Sequence, residues 1–335
     1  MADTIGGSIY YGLDLTDDIK RVAASSALTV TDSNVAALYP KLTSGAFVIP
    51  AGEKSKTPNT LFDILAEMHR RGLNRHSRVA AIGGGVVGDI TGLASALYMR
   101  GIEWVSIPTT LLAIVDSGIG GKTAVDFDGV KNLIGAFHSA SETYVSAAFL
   151  KTLPEREWTC GYGELIKTCL LTADGYKLLK KHKDGLLKKD TGALTELVAL
   201  CLRTKNDVVT EDPTERGRRK ILNVGHTVGH ALESLDEYNL SHGEYVLKGM
   251  MVECAMFRDK IDGKFYSEVI ELTRSLTSPP SASAKPVCEK AMSDKKNAGG
   301  LISIMLPVRA GEITEAMLSS EEFIERYNAA LKELK

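Results

Sequence analysis

Between residue 28 and about residue 150, short runs of apolar and β-branched residues alternate with stretches whose apolar positions recur every three or four residues. Parallel strands must be joined by crossovers, usually helices, so this alternation predicts a parallel sheet with helices packed on it. "LTVTDSN" and "AFVIP" read as strands, and "RVAAIGGG" and "WVSIPTT" as two more. Between them, "NTLFDILAEMHRRG" places Leu61, Ile64, Leu65 and Met68 on one helical face and stops at Gly72, as an amphipathic helix ending in glycine does.

After "LKTLPERE" the pattern changes to long helical segments, among them "GALTELVALCLRTKNDVV" and "YVLKGMMVECAMFRDKI". A chain of 335 residues is long for one core, and the change of character predicts two domains, residues 1–153 and 154–335. "TSPPSASAKP" is short enough to be a loop between helices.

With 44% hydrophobic residues, 24% charged residues and a net charge of −2, the composition describes a globular protein without an overall pull toward nucleic acid or membrane. No segment reaches the eighteen or so apolar residues of a membrane span, and the N-terminus lacks a basic start followed by an apolar stretch. The five cysteines are scattered, as reduced thiols are. Together these features predict a cytoplasmic protein that meets any anionic ligand locally.

Gly83, Gly85 and Gly88 in "IGGGVVGD" fit the spacing of a dinucleotide-binding turn, with Asp89 close behind. Glycine lets backbone amides approach a pyrophosphate, which the following helix N-terminus favours. "PTT", "VDS", "GGKTAVD" and "GVKNLIGAF" then punctuate strand ends with polar residues, and Lys122 and Lys131 stand in this glycine-rich ground.

The stretch "GHTVGHALESLDEYNLSHGE" gathers His226, His230 and His242, each beside a glycine, from a chain with seven histidines. Glu164 with His226 and His242 would make a carboxylate and two imidazoles, a set suited to catalytic zinc with an open position. His226 and His230 at i, i+4 are an alternative pair, and spacing alone leaves both open. A metalloprotease helix requires glutamate after the first histidine, where Thr227 stands, which argues against peptide hydrolysis. Arg216, Arg218, Arg219 and Lys220 form a basic knot without aromatic interleaving, read as a clamp for phosphate or carboxylate.

Over about residues 29–310 the chain resembles the 3-dehydroquinate synthases. The resemblance rests on "PAGEKSK", "GGGVVGD", "YMRG", "PTTLLAIVDS", "GGKTAVD", "KNLIGAF", "LKTLPERE", "GELIK", "NVGHTVGHALE", "SHGE" and "DKKNAGG", in that order. It implies a dehydroquinate synthase-like fold: an α/β N-terminal NAD-binding domain with a Rossmann-like parallel sheet, then a mainly α-helical metal-binding domain, with the active site in the cleft between them. It also implies a homodimer.

Carried over by the resemblance, Glu164, His226 and His242 are ligands of zinc, cobalt or another divalent metal, and His230 faces the substrate. Asp32, Asn34, Glu53, Lys56, Gly84, Gly85, Asp89, Thr109, Thr110, Lys131 and Thr152 line NAD. Lys122, Asn132, Lys167, Arg219, Asn223 and His230 serve the chemistry, and Arg100, Asp116, Lys205, Lys295 and Lys296 bind substrate.

In that family NAD takes hydride from a secondary alcohol of 3-deoxy-D-arabino-heptulosonate 7-phosphate. The new ketone acidifies a neighbouring proton, phosphate leaves and hydride returns. Ring opening and an internal aldol closure then give 3-dehydroquinate, a step toward the aromatic amino acids. Gly118 departs from the family pattern, in which serine is typical, and is expected to loosen the loop carrying Asp116. "FHSA" lacks a usual proline, and Pro213 replaces an acidic residue. The rival readings are a related cyclase acting on sedoheptulose 7-phosphate or an amino analogue, a polyol dehydrogenase, and a non-catalytic nucleotide-binding protein.

Overall fold

Two short antiparallel strands, β1 (Asp3–Ile5) and β2 (Ile9–Gly12), open the chain of this computed structural model, which describes residues 3–215, 217–237, 239–293 and 300–335. There follow α1 (Thr16–Ser25), β3 (Leu28–Asp32), α2 (Ser33–Leu38), β4 (Phe47–Ile49), α3 (Pro58–Arg70), β5 (Arg78–Gly83), α4 (Gly85–Leu97) and β6 (Glu103–Pro108). Next come β7 (Lys122–Phe127), β8 (Val130–Phe137) and β9 (Glu142–Ser146). One sheet runs in the order β1-β2-β9-β6-β5-β3-β4, and every pairing in it except β1 with β2 is parallel.

The middle strands read as unbroken apolar runs because both faces are covered. In β5, Val79 and Ala81 join a core with Leu61, Ile64 and Met68 of α3 and Ile90 and Leu93 of α4. Ala80 and Ile82 turn to the other face, where Ile19 and Val22 of α1 and Val35 of α2 meet them. The α3 face predicted from spacing is the buried one, with Leu65 packed at its margin. Thr57 caps its start, and Gly72 lies beyond its end with φ +69.

The glycine-rich ground around Lys122 and Lys131 contains the antiparallel hairpin of β7 and β8. Asp128 and Gly129 both have positive φ, 50 and 74, and join Phe127 to its partner Val130 as a two-residue mirror-image turn. The loop ahead of it is tighter than expected: residues Ala113–Ser117 form a π-helical turn, and a Cβ on Gly118 would lie 2.6 Å from the carbonyl oxygen of Ala113. Glycine here permits close packing, and serine in its place would push that turn apart.

Helices dominate the remainder: α5 (Glu155–Leu170), α6 (Ala173–Leu187), α7 (Thr191–Glu211), α8 (His226–Leu235), α9 (His242–Met256), α10 (Gly263–Arg274) and α11 (Ala284–Met292). The hairpin β10 (Ile302–Arg309) and β11 (Glu312–Leu318), absent from the expectations above, precedes α12 (Ser320–Glu333). The chain divides into two compact units, residues 1–154 with 189–210, and residues 155–188 with 211–335. All but the last residue of α7 thus belongs with the first unit. In the second unit α9 is buried from Tyr245 to Met256, with α5, α8, α10 and α12 packed around it, so it shows no polar face. No helix among the described residues is long and apolar enough to cross a membrane.

Candidate active site

The glycines beside the histidines set how closely the helices approach. A Cβ on Gly163 would stand 2.2 Å from the carbonyl oxygen of Gly243, and one on Gly243 would stand 1.8 Å from that of Cys160, so α5 and α9 touch backbone to backbone. A Cβ on Gly249 would lie 1.9 Å from the carbonyl oxygen of Gly225, which brings the start of α8 equally close to α9. Gly163 precedes Glu164, Gly225 precedes His226 and Gly243 follows His242. Short side chains from three helices can therefore meet at one point.

They do meet. Oε1 of Glu164 lies 3.3 Å from Nε2 of His226 and 3.4 Å from Nε2 of His242. A tetrahedral ion with bonds of about 2.0–2.1 Å holds its ligand atoms about 3.3–3.4 Å apart, so the spacing fits one. His230 belongs to the same cluster, and the ligand atoms of the three histidines lie within 4.8 Å of one another.

Hydrogen bonding fixes which imidazole nitrogens carry protons. Nδ1 of His226 is 3.0 Å from the carbonyl oxygen of Val224, and Nδ1 of His242 is 3.2 Å from Oε2 of Glu233. Both partners accept, so both Nδ1 atoms donate, and in the neutral rings each Nε2 turns a lone pair toward Glu164. Oε1 of Glu164 has no hydrogen-bond partner of its own. A carboxylate oxygen and two imidazole Nε2 atoms thus converge in a buried space, and a divalent metal, which displaces any proton held there, fits this donor set.

The electrostatics agree. Burial alone would raise the Glu164 carboxyl, but Lys167 and then His226 hold it well below the usual carboxylate range. Burial lowers His226 to about 3. Burial would lower His242 too, but the neighbouring carboxylates of Glu164 and Glu233 lift it to about 10. Lys167, also buried, pairs with the other oxygen of Glu164, Oε2. The cluster is closed around Glu164, 1% exposed, and opens at His242, 30% exposed, leaving a side for a substrate.

Two carboxylates at this centre were not expected from the sequence. Glu233 touches His242, and its one signal was its place seven residues after His226 and three after His230, on the same face of α8. Glu253 accepts from the backbone N–H groups of Gly225 and Val228, both at 2.8 Å, and so anchors the N-terminus of α8 to α9. Nothing in its spacing marked it.

The basic knot separates. Arg219 is buried, with Nη1 donating to the carbonyl oxygen of Pro213 at 2.7 Å, while Arg218 and Lys220 lie outward beside Glu211 and Glu315. Asn223 donates to Glu215 at 2.8 Å. Lys295 and Lys296, and Arg216 of the knot, lie outside the described residues.

In the first unit the glycine turn has the strand–turn–helix setting that a dinucleotide site requires, with β5 ending at Gly83 and α4 starting at Gly85. Thr109 and Thr110 stand over it: Thr109 N–H donates to the carbonyl oxygen of Gly83 at 2.9 Å, and a Cβ on Gly84 would meet Thr110 at 3.1 Å. Lys56 Nζ reaches Oδ2 of Asp89 and Oδ1 of Asn132, both at 2.5 Å. Burial would lower its pKa, but Asp89 and then Glu53 raise it, so the ammonium stays charged. Asn132 has φ +53, and its N–H donates to Asp126, whose own N–H donates to the carbonyl oxygen of Lys56.

Lys205 Nζ donates to the side chain and the carbonyl oxygen of Asp116, each at 2.6 Å. Asp32 caps α2 through the N–H groups of Asn34 and Val35. Thr152 bonds Tyr39 at 2.7 Å. Arg100, with φ +68, and Lys122 at the start of β7 are exposed, and Lys131 is half-buried on β8.

The family model described as 3-dehydroquinate synthase N-terminal matches residues 46–160, and the one described as 3-dehydroquinate synthase C-terminal matches residues 161–297. A 3-dehydroquinate synthase of Alkaliphilus metalliredigens is 35% identical over 331 residues, covering 94% of this chain and 93% of that protein. One of Symbiobacterium thermophilum is 40% identical over 305 residues, covering 86% and 85%. Among solved structures, the 2-epi-5-epi-valiolone synthase of Streptomyces hygroscopicus subsp. jinggangensis, with NAD+ and Zn2+ bound, superposes with a TM-score of 0.88 at 25% identity, covering 99% of this chain and 98% of that one. Matched along nearly its whole length, this chain belongs to the 3-dehydroquinate synthase family.

Proposed function

We propose that this chain converts 3-deoxy-D-arabino-heptulosonate 7-phosphate to 3-dehydroquinate and phosphate, as a 3-dehydroquinate synthase using catalytic NAD and a divalent metal. The observation that carries the reading is the convergence of Glu164 Oε1 with Nε2 of His226 and of His242, at 3.3 and 3.4 Å, in a chain of this family. When bound, NAD accepts and returns the hydride, and zinc or a similar ion supplies the charge that acidifies an alcohol and polarises a ketone.

The chain's own residues divide the remaining work. Glu164, His226 and His242 hold the metal. Lys56 and Asp89, with Asp32, Asn34, Glu53, Gly84, Gly85, Thr109, Thr110, Lys131 and Thr152, form the NAD side. Lys122, Lys205 and Arg219 orient the phosphate and carboxylate of the substrate, with Arg100, Asp116, Asn132, Lys167, Asn223, Lys295 and Lys296 around them. His230, beside the ligand pair but half-buried, takes the proton of the reacting hydroxyl.

The protein works as a homodimer in the cytoplasm. The apolar side chains that the β7–β8 hairpin leaves exposed, Phe127, Val130, Leu133, Ile134 and Phe137, support the dimer, since monomers seldom expose so many together. The five free cysteines, all buried, suit a reducing compartment.

A second reading is another sugar-phosphate cyclase, acting on sedoheptulose 7-phosphate or an amino analogue, since the fold is shared with a synthase of a different name, the valiolone synthase. One assay separates them: release of phosphate from each sugar phosphate with zinc and sub-stoichiometric NAD. Equal amounts of phosphate and 3-dehydroquinate without accumulating NADH are expected from the heptulosonate. Phosphate from sedoheptulose 7-phosphate alone would shift the assignment to the second reading, and net NADH would point to a dehydrogenase.

A further inference from the structure

We propose that Glu233 is a positioning residue of the metal centre, holding His242 in the tautomer and orientation that turn its Nε2 to the ion. The inference rests on the ligand set proposed above and deepens it. Glu233 is 6% exposed, and its Oε2 lies 3.2 Å from Nδ1 of His242, whose Nε2 is 3.4 Å from Oε1 of Glu164. An ionised carboxylate only accepts, so this contact places the proton on Nδ1 and frees Nε2 for a cation.

The two ligand imidazoles are held by different chemistry. His226 is oriented by the carbonyl oxygen of Val224, two residues away on its own chain, and its side chain is 10% exposed. His242 is 30% exposed, so packing restrains its ring less, and its orientation depends more on the hydrogen bond from α8. That bond also carries charge. Glu233 lies one imidazole away from the converging ligand atoms, where its charge offsets part of a divalent charge through a ring that it makes a stronger donor.

The test compares the wild type with Glu233→Gln and Glu233→Ala, measuring zinc affinity by competition with a chromophoric chelator and recording the visible spectrum of the cobalt-loaded proteins. Glu233→Ala is expected to weaken zinc binding about 10–100-fold and to shift the cobalt bands. Glu233→Gln, whose amide oxygen still accepts from Nδ1 but brings no charge, should fall between. Zinc affinities of both variants within twofold of wild type, with unchanged cobalt spectra, would overturn the proposal. Should the alanine variant fail to fold, the glutamine variant decides by the same criterion. A wild type that binds no zinc would overturn the ligand set itself, and this inference with it.

Discussion

Nε2 of His226 and Oε1 of Glu164 face each other at 3.3 Å with lone pairs on both sides, a contact that repels unless a cation lies between them. Glu164→Ala and His242→Ala are accordingly expected to lose bound zinc and activity together. His230→Ala should retain zinc while turnover falls, on the order of 100-fold for a lost proton-transfer group. Metal content of the purified variants checks this. Full zinc in Glu164→Ala would remove it from the ligand set, and zinc loss in His230→Ala would restore the i, i+4 pair.

Zinc binding should release protons. At neutral pH the metal-free His242, with a pKa of about 10, is charged, while His226, at about 3, is neutral. An arriving ion displaces about one proton, so zinc affinity rises about tenfold per pH unit between roughly pH 7 and 9. The sign for folding is opposite. A pKa raised above its unfolded value near 6.5 stabilises the metal-free fold fully below that value, and this contribution fades as the pH rises through about 10. Calorimetry in buffers of different ionisation enthalpy measures the proton count, and a count near zero would mean that His242 is not protonated in the metal-free protein.

Much of this architecture is legible in the sequence, for identifiable reasons. The middle strands announce themselves because burial on both faces demands apolar residues at every position, as in "RVAAI". The β7–β8 hairpin is marked by Asp128-Gly129, a strong two-residue turn signal, but the glycines around it suit a ligand-binding loop equally well and mask it. The histidines stood out by their rarity, but which atoms converge depends on helix contacts that spacing does not encode. Glu253 is invisible for a simpler reason, and Glu233 shows only its place on the histidine face of α8. A glutamate on a helix is usually solvated, and nothing local marks the one that is buried and bonded across to a neighbouring helix.

Gly243 tests the backbone contact that the convergence requires. Gly243→Ala would put a Cβ 1.8 Å from the carbonyl oxygen of Cys160, and backbone atoms cannot turn aside as a flexible side chain can. The expected cost is at the upper end of overpacking, about 3 kcal/mol, read as a lower urea midpoint, with weaker zinc binding as α5 and α9 separate. Gly88→Ala, where a Cβ would meet nothing within 4 Å, is the control and should leave both quantities close to wild type.

Lys56 tests the other unit independently of the metal. Its Nζ lies 2.5 Å from both Asp89 and Asn132, and its side chain is 6% exposed against 18% for Asp89. Lys56→Met leaves the Asp89 carboxylate largely buried without its counter-charge. Breaking a fully buried pair costs about 3–5 kcal/mol, and the partial exposure of Asp89 reduces the expected loss to about 2 kcal/mol. Adding Asp89→Asn removes the stranded charge, so the double variant should recover part of that stability, a non-additivity that identifies the pair. NAD affinity is expected to fall at least about tenfold in both variants, because the tether on Asn132 and the charge beside the glycine turn are gone. Zinc affinity should not change, since Glu164, His226 and His242 all belong to the other unit. Additive stability losses together with unchanged NAD binding would show that Lys56 neither pairs with Asp89 in solution nor serves the cofactor.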